Sequence, residues 1–196
     1  MNAHVSRTVS VCFAALRQIR SIRRSVTNTI LESLVASLVM SKLDYGSATL
    51  AGLPARQLNR LQSDLNASAR LVCSKRRYDH VTPLLCDLHW LKVPERITFR
   101  LSLLVYRCQQ GRAPAYLADQ LRRVADIDCR RRLRSAATAS LLAPVTKHIT
   151  IGDRAFPAAA AKAWIGLPSP VTSSSTLPIF KRRLKTVLFG RSFGAN

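Results

Sequence analysis

Four side chains in one stretch of the chain, Cys73, His80, Cys86 and His89, are of the types that ligate zinc. A tetrahedral zinc site needs thiolates and imidazoles converging on one ion, and common fingers and knuckles do this with short ligand pairs. Here the intervening segments hold six, five and two residues, a spacing that matches none of those arrangements. Cys86 follows Leu85 in an apolar stretch and reads as core, and His89 beside Trp90 reads as a structural histidine. No metal or other cofactor is expected. Carboxylates are also poorly placed for catalysis. The closest pair is Asp126 and Asp128, in an arginine-rich segment. Two-metal nucleotidyl transfer needs clustered acids to hold ions about 4 Å apart. The seven glycines are scattered singly, so no phosphate-cradling loop is encoded, and no nucleophile elbow is visible. The chain is not expected to be an enzyme on its own.

Cations carry the stronger signal. Lys and Arg number 31 against 10 Asp and Glu, a formal net charge of +21. They concentrate in four clusters: Arg17, Arg20, Arg23 and Arg24; Lys75, Arg76 and Arg77; Arg130, Arg131, Arg132 and Arg134; and Lys181, Arg182, Arg183 and Lys185. A chain this basic repels itself unless a polyanion is near, and phosphate backbones are the usual partner. Arg outnumbers Lys, and the guanidinium suits bidentate phosphate contacts and stacking on bases. Tyr78 follows the second cluster and Phe180 precedes the fourth, so an aromatic lies ready to stack beside each. The alternative is that Phe180 is core and each cluster is a solvated helix face. RNA or DNA backbone is the expected partner, and these four clusters are the candidate nucleic-acid-binding residues.

Helices must position these groups, because apolar residues recur at intervals of three and four. Val5, Val9, Cys12, Leu16 and Ile19 form one stripe, with the first arginine cluster at its end. A second helix is predicted from Thr27, as N-cap, through Ile30, Leu34, Leu38 and Met40. Pro54 is placed to open a third, with Leu58, Leu61, Leu65, Ala69 and Val72 on one face. Thr82-Pro83 starts a short helix, Pro94 opens a longer one through Cys108 that Gly111 stops, and Pro114 begins another short one. Beyond residue 125 the texture changes. Ile149 and Ile151 alternate after Pro144, which predicts a small β-hairpin near residues 141–151. Residues 155–164 return to helix, Pro168 to Ser175 reads as a linker, and a basic helix from Thr176 to Phe189 turns Phe180, Leu184 and Val187 inward.

Hydrophobic residues make up 47% of the 196, enough for a core. The expected fold is mainly α, a bundle of six to eight helices with that one hairpin. Its two regions are a helical part over 1–125 and a basic C-terminal part over 126–196. The five cysteines are odd in number, widely spread and free of CxxC pairs, which suits a reducing, intracellular setting, nuclear or cytoplasmic. The longest charge-free run, Ala163 to Phe180, is broken by three prolines, so no membrane span is expected. No acid precedes Glu32, yet the short apolar stretch Val9 to Leu16 has no cleavage site and reads as part of a basic helix.

Several runs, in order, carry a family resemblance. Ser41-Lys42-Leu43-Asp44-Tyr45 is followed by Ala51-Gly52-Leu53-Pro54, then by Leu61-Gln62 and Ala69-Arg70-Leu71-Val72. Asp79-His80-Val81-Thr82-Pro83, Leu88-His89-Trp90-Leu91 and Ala113-Pro114-Ala115-Tyr116-Leu117 come next. Gly152-Asp153-Arg154-Ala155-Phe156, Trp164, Leu167-Pro168 and Phe180-Lys181-Arg182-Arg183-Leu184-Lys185 close the series. Together they resemble the region downstream of the palm in non-LTR (LINE-type) retrotransposon reverse transcriptases, over about residues 14 to 189. The chain departs from that pattern at Gly46, Cys86 and Lys92, and at Asp64, in a helix that is usually neutral in that family. The resemblance implies a fragment of an RNA-directed DNA polymerase polyprotein. The catalytic carboxylates would lie upstream of Met1, and the first helices would form a thumb-like element against the template–primer duplex. The alternatives are a structural or protein-interaction module with acidic partners, or a relic without selected function.

Overall fold

The first apolar stripe becomes α1 (Asn2–Ile22), which buries Val5, Cys12, Leu16 and Ile19 and leaves Val9 half-buried. This computed structural model describes residues 1–123, 141–146 and 152–194. Their contacts divide the chain into two units, each built from separate segments. The first is Met1–Gly46, Leu53–Arg96 and the residues from Phe189 on; the second is Ser47–Gly52 and Ile97–Leu188.

In the first unit, α1 lies against α4 (Ala55–Val72), whose Leu61, Leu65, Ala69 and Val72 face inward. Between them in sequence, α2 (Asn28–Val35) passes through a π-helical turn (Ala36–Met40) into α3 (Ser41–Asp44). Thr27 caps α2: its Oγ1 accepts a hydrogen bond from the Ile30 N–H at 3.4 Å. The contact is long, so Thr27→Ala is expected to cost about 0.5–1 kcal/mol in a urea melt, toward the lower end for lost N-caps. The apolar stripe of this segment sits one residue away from the predicted one. Leu31, Val35, Val39 and Leu43 are buried, as is Met40 of the predicted stripe, whereas Ile30 and Leu38 are exposed and Leu34 is half-buried. The offset is already present at Leu31 and Val35, and the π turn that follows, with its extra residue, keeps Val39 and Leu43 on the same face. The short α5 (Thr82–Asp87) follows, with Pro83 in its first turn and Leu84 and Leu85 buried.

Polar side chains tie the first unit together. Arg96, in the first turn of α6 (Val93–Gln109), forks onto the Asp44 carboxylate at 2.8–3.1 Å, with both side chains largely buried. The Gln62 side-chain oxygen accepts from the Val93 N–H at 2.8 Å, which satisfies an otherwise orphaned donor at the start of α6.

In the second unit α6 turns Ile97, Leu101, Val105 and Tyr106 inward, and Gly111 ends it at φ +65°, where a side chain would be strained. Phe180, on α10 (Leu177–Phe193), stacks on Tyr106 at 4.3 Å and on Trp164 of α8 (Phe156–Ile165) at 5.8 Å. The Tyr106 hydroxyl donates to the Ser174 carbonyl at 3.0 Å. Short turns, α7 (Ala115–Ala118) and α9 (Ser169–Thr172), complete the described helices, and α9 falls where a linker was predicted. Gly152 cannot be replaced without a shift, since an added Cβ would lie 2.7 Å from the Thr146 side chain.

The mainly helical class holds, but the hairpin expected at 141–151 is not found among the described residues. Leu141 instead forms one isolated antiparallel bridge with Arg123, supported by a Leu142 N–H bond to the Arg122 carbonyl at 2.8 Å. Residues 142–146 have no regular structure. Pro144 supplies no ladder donor, which disfavours a strand there. Residues 147–151 lie outside the described residues.

Candidate nucleic-acid interface

The first arginine cluster resolves into a track. Phe13, Arg17 and Arg20 are spaced four and three apart, which aligns their side chains along one face of α1, and Arg24 follows in the 3-10 turn (Arg23–Ser25) that continues the helix. All four are exposed. Arg23 falls off this line and is half-buried. The track runs beside the buried stripe of α1 without belonging to it. It has no acidic neighbour on its own helix, and the single acid of α4, Asp64, is fully buried. At 1.5 Å per residue the track spans about 16 Å. That length of duplex axis carries several phosphates. The arginines at its end also complement the negative pole of the helix, at about 0.3–1 kcal/mol each, so they need not be idle without a ligand.

Lys75, Arg76 and Arg77 lie on a tight exposed loop after α4. Ser74 takes a left-handed φ of 60°. The Arg76 N–H donates to Asp79 Oδ2 at 2.6 Å, and Arg70 Nε and Nη2 both donate to the Asp79 carbonyl at 3.1 Å. This clasp holds the loop so that three cations and Tyr78, which is 90% exposed, project together. Arg70 and Asp79, which carry the sequence resemblance, thus shape the loop from below.

The fourth cluster differs. Lys181, Arg182, Arg183 and Lys185 are exposed on α10, but Arg183 Nη1 donates to the Pro170 carbonyl at 2.7 Å. Phe180 is fully buried, so it is core and cannot stack on a base. Arg130, Arg131, Arg132 and Arg134 lie outside the described residues.

The zinc-type residues do not converge. Among the described residues no three His, Cys, Asp or Glu side chains gather closely enough to hold a metal ion. Cys73 caps α4 at its C-terminal end, and His89, at φ 52°, meets Phe189 edge-on at 6.0 Å. Cys12, Cys73, Cys86 and Cys108 are free thiols. Burial pushes the Cys73 and Cys108 thiols up, and it pushes Cys12 up to about 12, with the Asp64 charge adding to the effect.

In the sequence Arg23 groups with the other three arginines and Phe13 is passed over, and only the structure reveals two recesses flanking α1. One, of about 130 Å³, is lined by Phe13, Arg17 and Arg20 with residues of α4. The other, of about 550 Å³, is lined by His4 and Arg7 of α1 with Lys42 and Tyr45. Both mouths are cationic and include an exposed aromatic ring. No helix among the described residues is long and apolar enough to cross a membrane. Compared with protein-family models, with curated proteins and with solved structures, the chain matches none of them.

Proposed function

We propose that this chain is a helical module that binds the phosphate backbone of RNA or DNA, and that it is a palm-less piece of a non-LTR retrotransposon reverse transcriptase with no polymerase activity of its own. The observation that carries the binding half is the exposed series of Arg17 and Arg20 on α1 and Arg24 in the turn after it, a stretch with no acid. The clasped loop with Lys75, Arg76, Arg77 and Tyr78 offers a second cationic surface. Phosphate contacts set position without reading sequence, so duplexes of different sequence bind alike. The reverse-transcriptase half rests on the ordered motifs alone, and it assigns the first helices a thumb-like hold on a template–primer duplex in an intracellular, nuclear or cytoplasmic setting.

Titrating a labelled duplex at several salt concentrations tests the binding half. Each neutralised phosphate contributes about −0.9 to the slope of log K against log salt, so a steep negative slope is expected. A flat slope, with affinity reserved for acidic proteins, sinks it. Primer, template, nucleotides and magnesium added to the purified chain should give no extension, because its carboxylates are scattered. Measurable extension contradicts the palm-less reading.

A further inference from the structure

We propose that the recess between α1 and α4 receives one unpaired pyrimidine base of a single-stranded nucleic acid. The inference rests on the nucleic-acid reading above and gives its first helix a second task. The recess combines three features. Its floor is apolar, made by Leu16, Ala67 and Leu71, and one wall is Phe13, an aromatic ring 37% exposed that stacks on no other ring among the described residues. Arg17 and Arg20 stand at its mouth. A ligand that suits all three has a flat apolar ring with an anionic group close by, which describes a nucleotide.

Size narrows the choice. The volume is about 130 Å³. Whole small-molecule sites usually need about 300–1,000 Å³, so a complete cofactor is too large. An apolar cavity of about 150 Å³ holds one benzene ring. One six-membered ring therefore fills it, and a purine's second ring would be left outside. A base in a duplex is stacked and paired, so it cannot enter without the cost of unstacking. The recess thus discriminates strands from duplexes. The spacing of Phe13, Arg17, Arg20 and Arg24 adds continuity: the base seats at one end of the track and its neighbouring phosphates run along the arginines. An acidic peptide with an aromatic side chain would also meet cations and an apolar floor. The stripe of regularly spaced arginines favours the evenly charged strand.

The test measures affinities of the intact chain for short oligo(U), oligo(A), a duplex of equal length and uridine monophosphate. Phe13→Ala removes the aromatic wall of the recess and Ala67→Met fills it from the floor. Phe13 is exposed and Ala67 only half-buried, so circular dichroism should show both variants folded. Stacking on one aromatic predicts a loss of roughly tenfold for oligo(U) in each variant. Duplex binding should stay unchanged, and Phe13→Trp should retain oligo(U) binding. Wild-type chain that binds duplex but shows no oligo(U) preference over oligo(A) overturns this inference and leaves the backbone reading standing. Equal losses on duplex and strand, or uridine monophosphate binding as tightly as the strand, overturn it too. An acidic aromatic peptide that displaces the strand with the same Phe13 dependence assigns the recess to protein. Binding to none of the nucleic acids removes both readings.

Discussion

Replacing Arg17, Arg20, Arg23 and Arg24 together by Gln should flatten the salt dependence of duplex binding by about three units of slope, whatever the duplex sequence. Three arginines share the exposed track, each touching one phosphate contributes about 0.9, and half-buried Arg23 adds little. Between 50 and 200 mM salt, three units of slope amount to a roughly 60-fold difference in how fast affinity falls. The fold should persist, because the buried stripe of α1 is Val5, Cys12, Leu16 and Ile19. Removing cations near the C-terminal end of α1 costs at most about 1 kcal/mol each, which a thermal melt will register separately. A variant that binds as tightly as the wild type, with an unchanged slope, removes α1 from the contact surface. Arg130, Arg131, Arg132 and Arg134 then become the next cluster to replace.

The track was legible in the sequence because it obeys the same periodicity as the core. An apolar stripe at three- and four-residue spacing fixes which face of α1 is buried, and the remaining faces follow. The same rule misplaced the next helix by one residue. Ile30, Leu34 and Leu38 form as regular a stripe as Leu31, Val35 and Val39, so periodicity alone could not choose between them. Packing against α1 and α4 chose, and the π turn that starts at Ala36 carries the same face on to Leu43. Polar partners were illegible for another reason. Asp44 and Arg96 stand 52 residues apart, and sequence names the charge without naming the neighbour. The motif residues Gln62, Arg70 and Asp79 likewise turn out to hold backbone atoms in place. Phe180 had two readings beside its cations, and Tyr106 and Trp164 on either side of it decide for core.

Asp64 should make the protein lose stability as pH rises, and Asp64→Asn should abolish most of that loss. The carboxylate sits on α4 in the first unit with no exposed surface, and neither side-chain oxygen has a hydrogen-bond partner. Burial raises its pKa from 3.8 to about 7, opposed only by the charge of Arg60 one turn away. The nearby Cys12 thiol feels the same carboxylate and stays protonated. Because the folded pKa lies above the unfolded one, the folded chain keeps a proton that the unfolded chain has released. Stability is therefore greatest below about pH 4, falls as pH climbs, and levels off above about pH 7. Three units correspond to an upper bound of about 4 kcal/mol, and relaxation around the site lowers this to the order of 2–3. That is a large share of the 5–15 kcal/mol typical of a domain. An asparagine has no charge to desolvate, but its buried amide still lacks partners, costing about 1–3 kcal/mol at any pH. The neutral carboxyl of the wild type lacks the same partners, so the two stability curves should nearly coincide at pH 4.5 and separate as pH rises, with the variant stronger at pH 8 in urea melts. The other ionisable groups are common to both proteins and cancel in the difference. Parallel curves would show that Asp64 is hydrated and ionised in the folded chain, and that the α1–α4 seam is wetter than its burial implies.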